Sequence, residues 1–262
     1  MRAEIISALI YEWRKMLMIG ILLFFSGAAA GSFLYCTAWR KARSISILKE
    51  KHSFCPKCKH RLYLTDLIPA ISWLFLKGRC RYCKEKIPAA SFLAEVTMGV
   101  LFLCVGLRSD NILDAIVGFC LTGLLGYASF YDIETRTVPN IISALIAALW
   151  LVLRIPKGFA EGFYDSMAGA VLVPGVIYLT AVVFEKIKKR ESMGGGDIKL
   201  FSAVGLHLGL YANVVNVLLT CVLGLIYAAL SRKRKEDAFA LAPFISASTM
   251  IIRLFGEHFI NI

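Results

Sequence analysis

Apolar runs close to the length of a lipid bilayer recur along the whole chain, at 16–38, 90–107, 112–131, 141–154, 166–184, 198–210, 213–230 and 238–255. A helix crossing an apolar core of ~30 Å takes roughly 17–25 residues. Inside the bilayer only helices or closed barrels satisfy their own backbone groups. Several of these runs are short, and 198–230 reads as one span or as two. With 58% hydrophobic residues and a mean hydropathy of +0.68, the chain is too apolar throughout for a soluble globule. The pattern predicts an all-α polytopic membrane protein with about eight transmembrane helices. The first run is too long for a cleaved signal peptide and has no clear small-x-small site, Ala28–Ala30 being the nearest approach. It is expected to be retained.

The formal net charge is +12. Threading alternate spans places 39–90, 132–140, 185–197 and 231–237 on one side. That side, with Lys199 at its edge, holds all but seven of the 30 Lys and Arg: Arg2, Arg14, Lys15, Arg108, Arg154, Lys157 and Arg253 lie on the other. The positive-inside bias makes the richer side cytoplasmic. Insertion and anionic lipid headgroups then account for much of the charge, and no nucleic-acid partner is expected.

The longest polar segment holds FCPKC (54–58) and GRCRYC (78–83). Cys55 with Cys58, and Cys80 with Cys83, form two Cys-x-x-Cys knuckles 21 residues apart, slightly more than the spacing usual in zinc ribbons. A tight turn presents two sulfurs to one ion, and two such turns complete a tetrahedral site of four thiolates. Nearby Lys and Arg favour thiolate. Disulfides or free thiols are the alternatives, and a reducing cytosol disfavours the first. A site closed by four cysteines has no open position, so the expected metal is a structural zinc in a zinc-ribbon-like loop. Cys36, Cys104, Cys120 and Cys221 stand singly in apolar runs and are expected as small core residues.

Ionisable residues at membrane depth are functional candidates. Asp132 ends the third run, in YASFYDIETRTVPN, and Asp197 opens the sixth, in MGGGDIKL. Two spans separate them, so both carboxylates return to one face. Two close carboxylates share a proton. One can take a proton from water while the other polarises a peptide carbonyl, which is the chemistry of an aspartic peptidase. Gly194–Gly196 lack Cβ atoms and allow a backbone to approach. The plainer alternatives are that Asp197 is a helix N-cap, Asp132 a membrane-edge residue, and Lys199 a snorkelling cation. No Gly-Lys-Ser/Thr follows the glycines, which sets a phosphate loop aside. His207 is expected to be a hydrogen-bonded packing residue.

These motifs together resemble the type IV prepilin peptidases, the bifunctional leader peptidase and N-methyltransferase family. The resemblance is carried by GSFLYCTAWR (31–40), the two cysteine pairs with Gly-Arg-Cys-Arg-x-Cys, Glu95, Asp132 with Pro139–Asn140, Gly194-x-Gly196-Asp197 with Lys199, and ALAPFISAS (240–248). It implies an enzyme of the cytoplasmic (inner) membrane that cleaves the basic leader of prepilins or pseudopilins with Asp132 and Asp197. It would then methylate the new N-terminus from S-adenosylmethionine, with Gly78 near that cofactor. It implies a first transmembrane helix (1–38), a cytosolic tetracysteine domain tied to methyl transfer (39–90) and a transmembrane peptidase domain (91–262). The chain departs from the family pattern at Tyr35, where Asn is usual, and in the lysine-rich stretch between Arg40 and Phe54.

A basic leader meeting a basic face needs local acids, and Asp66, Glu85, Glu95 and Glu134 are the candidates. Two other functions compete. One is a peptidase without methyl transfer. The other is a zinc-ribbon membrane scaffold or transporter, a class that often carries internal repeats not seen here.

Overall fold

The computed structural model describes residues 2–46, 52–158, 162–189, 193–231 and 239–260. Most of the basic loop read at 231–237 lies outside the described residues. The chain divides into two compact units, Met1–Asp110 and Asn111–Ile262. Helices dominate both, and among the described residues there is no strand beyond two isolated bridges.

In the first unit, α1 (Arg2–Ala42) packs along α3 (Ala89–Arg108), with the short α2 (Ile71–Phe75) in the polar segment between them. The approach is set by missing side chains. A Cβ on Gly27 would lie 2.6 Å from the Met98 carbonyl oxygen, and one on Gly31 2.6 Å from that of Ala94. Small residues four apart let two membrane helices touch backbone to backbone, where packing rather than hydrophobicity drives association. Helix α1 runs unbroken through Ala28, which is fully buried.

The second unit holds α4 (Ile112–Thr135), α5 (Asn140–Lys157), α6 (Phe163–Lys188), α7 (Gly195–Leu230) and α8 (Ala242–Ile260). Among the described residues, five helices are long and apolar enough to cross a membrane: α1 over Trp13–Ala42, α3, α4, α6 and α7. Two shorter apolar stretches, Asn140–Ile155 and Ala242–Gly256, belong to α5 and α8. The chain is a multi-pass, all-helical membrane protein.

Helix α7 is not straight. Gly209 has φ 80° and ψ −177°, a backbone region open to glycine and costly for other residues. Beyond it, Asn213 Nδ2 donates to the Phe201 carbonyl at 3.3 Å and to that of Gly169 at 2.8 Å. Twelve residues of straight helix would separate Asn213 from Phe201 by about 18 Å. The arms 195–208 and 210–230 therefore fold back on each other, and the runs 198–210 and 213–230 are separate segments. The Leu210 amide, freed by the break, donates to Asp165 Oδ1 of α6 at 3.0 Å.

Helix α8 is held to α7 by a buried polar cluster. Ser248 Oγ donates to Asn216 Oδ1 at 2.5 Å, and Thr220 and Ser248 hydroxyls meet at 2.7 Å. Such groups lose water in the bilayer and must find each other. The imidazole Nε2 of His207 lies 2.9 Å from the Ile146 carbonyl oxygen, a packing contact between α5 and α7. The single cysteines correct one expectation. Cys36 and Cys104 are half-buried, but Cys120 and Cys221 are exposed rather than in the core. Lipid is as apolar as a protein interior, so hydropathy does not tell the two faces of a membrane helix apart.

Candidate active site

Asp132 sits one turn before the end of α4, whose C-cap Arg136 is left-handed at φ 59°. Its side chain is only 3% exposed. Oδ2 accepts a hydrogen bond from the amide of Ala242, the first residue of α8, at 3.0 Å. That amide belongs to the first turn of a helix, which has no partner of its own. One turn earlier, Ser129 Oγ donates to Ser246 Oγ at 2.9 Å, and Ser246 Oγ donates to the Leu125 carbonyl at 3.1 Å. These bonds lock α8 against α4 around the acid. The stretch ALAPFISAS was legible as a motif, but its backbone service to Asp132 was not.

Asp197 lies in the first turn of α7. The N-cap is Gly194, and no side chain caps the helix, so the N-cap reading of Asp197 does not hold. Its Oδ1 is buried without a hydrogen-bond partner among the described residues. Helix α4 carries Asp132 one turn before the loop that reaches Gly196. The α4–α5 loop runs alongside: a Cβ on Gly196 would lie 3.1 Å from the Val138 carbonyl oxygen, and Lys199 Nζ donates to Asn140 Oδ1 at 2.9 Å. Gly196 is thus the glycine that a close backbone approach requires. Gly194 and Gly195 are exposed, and a Cβ on Gly195 would meet nothing within 4 Å. Asp132, Pro139–Asn140, Gly196, Asp197 and Lys199 are gathered at one end of this unit. A buried carboxylate held by an amide and, at the same end of the unit, one with an unused buried oxygen are groups able to take and give protons.

The tetracysteine segment folds as two matching turns. The Cys55 amide donates to the His60 carbonyl at 3.0 Å and that of Lys59 to the Cys55 carbonyl at 2.9 Å. In the second turn, Cys80 and Glu85 pair at 2.8 Å, and Lys84 and Cys80 at 3.0 Å. Lys59 and Lys84 both have φ 59°, and each turn closes on a bridge, Phe54 with Arg61 and Arg79 with Lys86. The four sulfurs lie within 4.8 Å of one another, with Cys55 and Cys83 Sγ 3.8 Å apart. Four thiolates around one zinc at about 2.3 Å would be about 3.8 Å apart, so the donor set fits a tetrahedral ion. No cysteine is in a disulfide. Burial opposes ionisation of Cys55, but the amides of Cys58 and Lys57, with the Cys58 and Cys80 thiols, bring its pKa down to about 7.

The turns are clasped from outside. Lys57 Nζ meets Glu85 Oε2 at 2.6 Å, the His60 and Tyr82 rings meet tilted by 33° with centroids 3.6 Å apart, and Asp66 takes Arg81 at 2.8 Å and the Tyr82 hydroxyl at 3.0 Å. Glu95 accepts Ser32 Oγ at 2.6 Å and the Ala70 amide at 2.7 Å. Three of the acids considered for a basic leader are therefore engaged within their own unit. Gly78 has φ +66°, and a Cβ there would lie 2.7 Å from the Trp73 ring. Its local demand is for a left-handed turn under an indole.

Comparison with known proteins divides the chain in a similar place. Residues 25–109 match the family model described as "Bacterial Peptidase A24 N-terminal domain". Residues 119–229 match the one described as "Type IV leader peptidase family". Among curated proteins, the "Prepilin leader peptidase/N-methyltransferase" of Neisseria gonorrhoeae is 30% identical over 212 residues, covering 81% of this chain and 73% of that protein. The protein of the same name in Bacillus subtilis (strain 168) is 28% identical over 244 residues, covering 92% and 96%. That in Pseudomonas putida is 29% identical over 211 residues, covering 79% and 73%. No solved structure matches significantly. With both halves matched in order and relatives aligned over most of its length, the chain belongs to the type IV leader peptidase family.

Proposed function

We propose that this chain cleaves the leader of type IV prepilins or pseudopilins at the cytoplasmic face of the inner membrane and then N-methylates the exposed terminus. The observation that carries the peptidase half is the pairing of buried Asp132 with half-buried Asp197 at one end of the second unit. One is anchored by the Ala242 amide, and the other keeps a buried oxygen with no partner among the described residues. In the reaction one carboxylate takes a proton from water as the other, protonated, donates to the scissile carbonyl oxygen. The attacking water adds to the carbonyl carbon, and the proton passes on to the leaving amine as the C–N bond breaks. No covalent enzyme intermediate is needed. The exposed Gly194 and Gly195 leave space for the substrate backbone beside Asp197, with Gly196 and Lys199 holding the adjacent loop.

The cytoplasmic orientation is supported by the bias of Lys and Arg to one set of loops. Anionic headgroups on that side suit the same charge. Zinc in the Cys55, Cys58, Cys80 and Cys83 cluster would tie the two turns together and do no chemistry, since four thiolates close its coordination. Methyl transfer rests on the names of the relatives, and S-adenosylmethionine is the donor that those names imply. Gly78 would serve it through the turn beneath Trp73, and Glu95 by fixing the segment around Ala70.

The test is to incubate the purified chain with a prepilin-like peptide and S-adenosylmethionine and to weigh both products. A shortened peptide carrying one added methyl group supports both activities. A shortened peptide without it leaves a peptidase alone, and an intact peptide removes the reading in favour of a scaffold or transporter.

A further inference from the structure

The segment Leu67–Phe75, LIPAISWLF, joins the two cysteine turns and has no part in the cysteine cluster. Its depth is fixed by two contacts with α3. The Ala70 amide reaches Glu95, in the second turn of α3, at 2.7 Å. The Trp73 ring stacks on Phe92, in the first turn, with centroids 4.6 Å apart. At 1.5 Å per residue, Phe92 lies about 4–5 Å and Glu95 about 9 Å along the axis from Ala89. The 20 residues of α3 span about 30 Å, which is the thickness of the hydrocarbon layer itself. A helix of that length cannot cross while holding its first two turns clear of the bilayer. The segment tied to those turns is therefore drawn to the same level.

The other side of this segment is apolar and uncovered. Phe75 is 82% exposed and Leu74 57%, and Leu67, Ile68 and Ile71 are exposed beside them. Five large apolar side chains clustered on a nine-residue stretch are out of place in water. Exposed Lys77 and Arg79 follow directly. Apolar groups bordered by cations are the pattern of a segment lying in the membrane interface, with chains among the upper acyl carbons and cations at anionic headgroups.

We propose that Leu67–Phe75 is a membrane-interface anchor that seats the tetracysteine turns on the lipid surface, Leu74 and Phe75 being the residues in contact with lipid. The occupant of this face is the bilayer that already surrounds α3. The tie to the first turns of membrane-crossing α3, where Leu93 is exposed as well, favours it over the apolar segment of a passing substrate.

The test uses the full chain in nanodiscs of phosphatidylcholine and phosphatidylglycerol. A photo-crosslinking benzoylphenylalanine is placed at position 75, at position 74 as a second probe, and at the exposed Lys57 as the reference. After irradiation, intact mass separates phospholipid adducts from peptide adducts and from unreacted chain. The expected result is a phospholipid adduct at 74 or 75 at least about fivefold more abundant than at 57, as burial at the acyl boundary requires. Adducts at both positions no more abundant than at 57 would overturn the proposal. So would an added prepilin-like peptide that takes over the crosslink and abolishes the lipid adduct.

Discussion

Ala242 donates its backbone amide to Asp132 Oδ2 at 3.0 Å, across 110 residues of sequence. The bond does two things at once. It satisfies a donor that the start of α8 leaves open, and it fixes the direction of a buried carboxylate. A structural and a chemical role for Asp132 can be separated, because an amide side chain keeps the first and loses the second.

Asp132→Asn retains an oxygen to accept from Ala242, so the protein is expected to insert and melt near the parent temperature. Leader cleavage should fall at least ~100-fold, since general acid–base catalysis by a positioned group is worth that or more. Asp197→Asn should fall as far, because a shared proton needs both acids. Cleavage of a prepilin-like peptide in detergent micelles, beside a thermal melt of each variant, checks both. Activity retained in both would remove the dyad.

Gly209→Ala should destabilise the second unit. The position has φ 80°, and an added Cβ would run into the Asp165 carboxylate. The backbone strain alone is about 1–3 kcal/mol, and displacing Asp165 removes the acceptor of the Leu210 amide as well. A lowered melting temperature, with cleavage lost in step with folding, is the expected result. An unchanged melt would mean that α7 does not turn sharply there.

About one zinc per chain is expected in freshly purified, reduced protein, as a single site of four thiolates holds one ion. The double substitution Cys55→Ser/Cys80→Ser takes one sulfur from each turn and should bring the metal content to background. Elemental mass spectrometry of both proteins measures this. Because zinc is assigned to structure, the double variant should also show earlier proteolysis of the segment between α1 and α3.

Glu95→Ala should cost about 2 kcal/mol of stability in the first unit, because the Ala70 amide and Ser32 Oγ both lose their acceptor. Glu95→Gln keeps one oxygen for Ala70 and should lose about half as much. Thermal melts of the two variants side by side test the order. Equal effects would show that charge, not hydrogen bonding, is what Glu95 supplies.

The helices were legible because bilayer-length apolar runs have few alternatives, and the cysteine cluster because two residues between cysteines suit one tight turn. Asp132 and Asp197 could be singled out because carboxylates are rare at membrane depth. What escaped was carried by the backbone. The amides of Ala242 and Ala70 choose the orientation of Asp132 and Glu95, yet every residue here has an amide unless it is proline, and none marks its role in the sequence. The pairing of Asp66 with Arg81 and of Glu85 with Lys57 was hidden for a different reason. Those contacts join one cysteine turn to the region of the other, and depend on how the two are docked. Cys120 and Cys221 face outward because lipid and protein interior select the same side chains.

The reversal at Gly209 also settles a matter of parity. After Asp197 the chain must come back to the leaflet it left, or the first amide of α8 would emerge a full bilayer away from Asp132. One unbroken rod from 195 to 230 would deliver Ala242 to the wrong leaflet, and a single glycine makes the count of passages even.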